Sequence, residues 1–126
     1  MENHKEFIKR KNTEFQKEKT AVVSMKDIGR KGRFFFVREA WTFMPQSNLD
    51  KKVFVVERLR KERIDGDIVY QGIDKVGDVE YRIGYFIVGE NGKMKNKWAW
   101  GQFCPLIPIG DFDRLIYKAK KEKTIL

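Results

Sequence analysis

Lys93, Lys95 and Lys97 alternate along the stretch that leads into Trp98, and residues 29–33 read Gly-Arg-Lys-Gly-Arg. Cations at this density suit a phosphate ligand. Guanidinium and ammonium groups donate to its oxygens, and glycine lets main-chain amides approach it as well. Flat side chains accompany the charges: Tyr81, Tyr85, Trp98 and Trp100 fall nearby, with Trp41 and Phe43 further upstream. Unstacked bases lie on such rings at roughly 1 to 3 kcal/mol each, which is how single-stranded nucleic acid is held without groove readout. Both groups also have a plainer use: lysines in turns are simply solvated, and aromatic residues on a small sheet close its core, which for this aromatic set is the stronger reading.

The distribution of charge favours the binding use. The chain carries 27 Lys and Arg against 18 Asp and Glu, a formal net charge of +9. Residues 1–33 contribute +5, residues 34–92 contribute −1 and residues 93–126 contribute +5. A nearly neutral body with two cationic ends offers a polyanion an attractive field, provided that the ends meet on one surface.

Hydrolytic chemistry has few residues to work with. His4 is the only histidine and lies in the opening residues, so a Ser-His-Asp arrangement or a histidine metal site has no member in the expected body. The single Cys104 excludes an internal disulfide, and before Pro105 it reads as a small buried apolar residue in a reducing, cytoplasmic setting. Asp65, Asp67, Asp74, Asp78 and Glu80 with Arg82 imitate the carboxylates of a metal-dependent nuclease, although Asp in turns is explained by local hydrogen bonds. A small basic ribonuclease of toxin type needs no histidine. Arg82 with Tyr85, or Lys97 with Tyr81, would serve its scissile phosphate. No phosphate-binding GxxxxGK[ST] or GxGxxG occurs, and no cofactor or metal is expected.

The elements that must position these residues follow from periodicity. Residues 34–43 (FFFVREAWTF) and 53–59 (VFVVERL) are aromatic and β-branched runs of strand length, separated by Pro45, Ser47, Asn48 and Asp50. Asp65-Gly66 suits a two-residue hairpin turn between residues 53–64 and 68–71. Val79, Tyr81, Ile83, Tyr85 and Ile87 alternate with Glu80, Arg82, Gly84, Phe86 and Val88, which predicts a strand with one wholly apolar face. Asn91-Gly92 then turns the chain into a last strand over 98–103, through a loop of two residues or a longer one. A tight turn sets Tyr85 opposite Trp98 and Ile83 opposite Trp100, leaving a strip without side-chain bulk around Gly84 and Gly101 on the reverse side. Lys51, Lys52, Lys97 and Pro105 are of the type that blunts sheet edges. Beyond Pro108, Phe112, Leu115, Ile116 and Ala119 follow helical spacing behind Asp111 as N-cap. Val22, Val23, Met25 and Ile28 read as buried packing residues.

The expectation is one α+β domain over 1–126. Its core is an antiparallel meander of about five strands, open or curled into a half-barrel. A C-terminal helix follows, and residues 1–20 form a helix over about 5–19 or a mobile basic arm. No secretory leader or membrane span is read in it, and no membrane partner is expected. The expected function is non-catalytic nucleic-acid binding, DNA or RNA, through Arg30, Lys31, Arg33, Arg82, Lys93, Lys95, Lys97 and Trp98. The alternative is a protein-protein or homodimer contact through the aromatic sheet face.

Overall fold

The computed structural model describes residues 1–25, 32–65 and 75–126. In chain order these form helix α1 (His4–Lys17), strands β1 (Val22–Met25), β2 (Arg33–Gln46), β3 (Leu49–Asp65), β4 (Val79–Val88) and β5 (Trp98–Trp100), and helix α2 (Ile109–Lys121). The strands pair antiparallel in the order β1-β2-β3-β4-β5, an α+β meander with a helix at each end. No helix among the described residues is long and apolar enough to cross a membrane.

β3 is central and buried on both faces. Along Val53, Phe54, Val55 and Val56 every side chain is covered, because α1 lies on one face and α2 on the other. On the first face Phe7 and Phe15 of α1 pack against Phe43, Val53, Val55 and Phe86, flanked by Trp41 and Trp98. On the second, Leu115 and Ala119 of α2 pack against Phe54, Val56 and Tyr85, with Ile83 and Ile87 beside them. The apolar alternation of β4 is therefore the floor of α2, and the opposite face of that strand is also covered. An unbroken run such as VFVV is the pattern of a strand with two buried faces.

The sheet curls over its first face into an open half-barrel. Arg82 of β4 brings Nη1 to 3.7 Å from the sulfur of Met25 in β1, although β2 and β3 lie between them in the ladder. Bulges permit the bend: the register shifts between Arg38 and Ala40 and between Phe35 and Phe36, leaving Glu39 and Glu62 unpaired. Beyond α1, the concave face carries a buried ion network. Glu57 is fully buried and accepts hydrogen bonds from Arg38 Nε at 2.7 Å and from Arg82 Nε and Nη2 at 2.8 and 3.0 Å.

Several expectations change. The hairpin is anchored by Arg60 pairing with Val79, and the Asp65-Gly66 turn and residues 68–71 lie outside the described residues. Val22, Val23 and Met25 form an edge strand with Val22 exposed, while Ile28 is not described. Lys51 and Lys52 lie on the central strand, not an edge, and Lys52 is buried, donating from Nζ to the carbonyl of Leu106 at 3.1 Å. Pro108, not Asp111, caps α2. Asp111 is buried and accepts the Ser47 amide hydrogen at 2.8 Å, and Phe112 points outward. The β4–β5 connection runs from Gly89 to Lys97, with a 3-10 turn at Gly92–Met94 and positive φ at Gly92 and Asn96. Phe86 then pairs with Trp100 and Val88 with Trp98, the opposite parity to a tight turn. The bare strip disappears as a result. A Cβ on Gly84 would lie 2.3 Å from the Trp100 ring, and one on Gly101 would lie 2.1 Å from the Tyr85 ring.

Candidate nucleic-acid interface

At the β2–β3 turn end of the molecule, the start of α1 meets the start of β3 and the first residue of β5. Glu2, His4, Lys5, Asp50, Lys51 and Trp98 line a cleft of about 290 Å³ there. α1 begins at His4 because Asn3 and Glu6 form a capping box, each side chain accepting the other's amide hydrogen. Those two amides are used internally. Phe7 pins the helix by stacking on Trp98, with centroids 4.5 Å apart and planes 17° apart, and Trp98 Nε1 donates to the Glu2 carbonyl at 2.9 Å. Trp98 is half-buried: its indole holds α1 and also walls the cleft.

The loop that enters Trp98 carries Lys93, Lys95 and Lys97, all exposed. Its shape is fixed by main-chain bonds: Gly89 donates to the Lys97 carbonyl at 3.0 Å and Asn96 to the Gly89 carbonyl at 2.9 Å. Among the described residues, none of these three lysines, nor Lys5 or Lys51, makes an ion pair. Two carboxylates accompany them. Glu2 is occupied by Arg10 at 2.8 Å, whose guanidinium holds its pKa below the usual carboxylate value. Asp50 is exposed.

The other expected contacts are not part of this surface. Arg33 pairs with Asp65 at the far end of the sheet and donates to Ser24 at 3.2 Å. Lys52, at the cleft end, pairs with Ile87; from Asp65 to Lys52 the strand runs about 40 Å. Arg30 and Lys31 lie outside the described residues. Arg82 gives two of its donors to Glu57 and stacks its guanidinium 4.7 Å from the Trp100 centroid. Lys5 lies with the loop that enters Trp98, whereas the lysines of α2 lie on the face opposite α1, so the two cationic chain ends share a surface only in part. Lys5 and Lys51 join the loop lysines through the fold alone, with no local sequence signal to mark them.

His4 is the first residue of a regular helix and not part of a mobile start. Its Nδ1 is buried without a hydrogen-bond partner. Cys104 is exposed, not the buried apolar residue expected. Among the described residues no three His, Cys, Asp or Glu side chains come together as a metal site; Asp67 and Asp74 are not described. Glu80 lies 3.5 Å from Lys61, and Asp65 pairs with Arg63 at 3.1 Å. Comparison with protein-family models, curated proteins and solved structures finds no match.

Proposed function

We propose that the protein binds single-stranded nucleic acid at the β2–β3 turn end, with Lys93, Lys95, Lys97, Lys5 and Lys51 as phosphate contacts and the cleft beside Trp98 receiving a base. The observation that carries this reading is the grouping of unpaired lysines around a half-open indole. A phosphate neutralised by an unpaired lysine sheds its condensed counterions, and that release supplies most of the affinity; a cation already held by a carboxylate neutralises a phosphate less well. Arg82 is left out of the contact set because Glu57 already holds its fork. Arg33 would be reached only by a strand long enough to follow the sheet.

The test is fluorescence anisotropy of a labelled single-stranded oligonucleotide, DNA and RNA in parallel, titrated over a salt series. Affinity is expected to fall linearly in log-log form as salt rises. Replacing Lys93, Lys95 and Lys97 together with alanine is expected to flatten that slope by about 2, near 0.7 per lost contact on a single strand. Binding indifferent to salt, or a triple variant that binds as the parent does, overturns the reading.

A further inference from the structure

Two carboxylates line the cleft beside Trp98, and they differ in what holds them. Glu2 accepts from Arg10 Nε on one oxygen and from Nη2 on the other, both at 2.8 Å, so its acceptors are spent within the protein. Asp50 is exposed and, among the described residues, makes no ion pair and no side-chain hydrogen bond.

An aspartate beside a turn ordinarily bonds to the local amides. At the β2–β3 turn that work is done by others: Asp111 accepts the Ser47 amide hydrogen at 2.8 Å, and Gln46 Nε2 donates to Asn48 Oδ1 at 2.6 Å. Asp50 keeps both oxygens available, on walls that it shares with Lys5 and Lys51. For phosphate binding alone a negative charge at this place is a cost. For reading a base it is an asset, because an ionised carboxylate is a pure acceptor with two oxygens side by side.

We infer that Asp50 makes the cleft selective for guanine among the bases, which rests on the cleft being the place where a base is received. Guanine presents two adjacent donors on its Watson–Crick edge, N1–H and N2–H, and these match the two oxygens of a carboxylate. Adenine sets its N6 donor beside the bare acceptor N1, and cytosine sets its N4 donor beside the bare N3, so that one hydrogen bond is met by one repulsion. Thymine and uracil flank N3–H with two carbonyl oxygens. Guanine also carries the acceptor O6 next to N1–H, where an ammonium group of Lys5 or Lys51 can donate. Trp98 adds no preference of its own through hydrogen bonds: its Nε1 already donates to the Glu2 carbonyl at 2.9 Å, and its ring serves any base. A cleft of about 290 Å³ stands at the lower limit of small-molecule sites, a size that suits one base.

Anisotropy titrations of the full chain test this with labelled oligo-dT and a strand of equal length that carries guanine at every second position, in lithium salt so that guanine strands do not self-associate. The guanine strand is expected to bind about fivefold tighter, the low end for a paired contact because Asp50 is exposed. Hypoxanthine in place of guanine lacks the N2 donors and is expected to lose that gain, whereas 7-deazaguanine, altered only on the opposite edge, is expected to keep it. In Asp50→Ala both strands benefit from the lost negative charge, so the ratio of the two affinities is the readout, and the preference is expected to vanish. The variant is expected to keep the parent's melting midpoint, since the Asp50 side chain bonds to nothing among the described residues. Salt-dependent binding without a guanine preference, or a preference that survives hypoxanthine or Asp50→Ala, overturns the inference and leaves the cleft as a base site standing. Absence of binding to every strand overturns both.

Discussion

Glu57 is the residue on which the concave face depends most. Its fully buried carboxylate serves two guanidinium groups from neighbouring strands, and Arg38 in turn stacks 3.8 Å from the Phe15 centroid of α1. Removing one partner from a buried ionic group costs more than the group contributes in total, because the remaining charge is left desolvated. Glu57→Gln is expected to lower unfolding free energy by about 3 kcal/mol in urea titration. Asp111 acts through pH. The Ser47 amide, helped by Arg114, outweighs burial and holds its pKa below the usual value of 3.8. A carboxyl with a depressed folded pKa stabilises fully above its unfolded pKa and loses that contribution as pH falls through the folded one. Asp111→Asn is therefore expected to flatten the acid limb of the stability profile below about pH 5, measured by thermal melts across pH.

At the scale of elements, α2 ends in a Schellman arrangement with a misfit residue. Thr124 donates to the Ala119 carbonyl at 2.8 Å and Lys123 to the Lys120 carbonyl at 3.0 Å, which places Lys123 at φ 63°, where glycine is preferred. Lys123→Gly is expected to raise stability by about 1 kcal/mol, with Lys123→Ala near neutral, which separates backbone strain from charge. The two glycines of the β4–β5 ladder should differ. Trp100 over Gly84 is 39% exposed and can swing out, whereas Tyr85 over Gly101 is buried in the α2 core. Gly101→Ala is expected to cost about 2 kcal/mol and Gly84→Ala less than half of that by chemical denaturation.

These elements also show what the chain reveals on reading. The alternation of β4 marked its α2 face, because a period of two survives any tertiary arrangement, and the helix over 5–19 appears as His4–Lys17. The capping box of Asn3 and Glu6 that starts it emerges only from the structure. Strand parity was not legible, since it turns on loop length: a Gly89–Lys97 connection instead of a two-residue turn moves Trp98 and Trp100 to the other face. The candidate site was half legible. Lys93, Lys95, Lys97 and Trp98 are adjacent in sequence, whereas Lys5 and Lys51 reach them only through packing of Phe7 on Trp98.

For the whole molecule, the opposed placement of the helices decides how its field is organised. The sequence puts equal excess charge at both ends, but the sheet stands between α1 and α2, so a ligand on the cleft side meets the loop lysines and not those of α2. Low-dielectric protein and about one Debye length of salt, near 8 Å under physiological conditions, separate the two sets. Lys120 and Lys121 are exposed and unpaired like the loop lysines, so a mechanism driven by net charge alone would respond to either set equally. A directed one would not. Lys120→Ala/Lys121→Ala is expected to leave the salt slope of oligonucleotide binding unchanged, while Lys95→Ala/Lys97→Ala, with the same loss of net charge, flattens it by about 1.4. Equal flattening by the two pairs in the same anisotropy titration would show that the field, and not the cleft, does the binding.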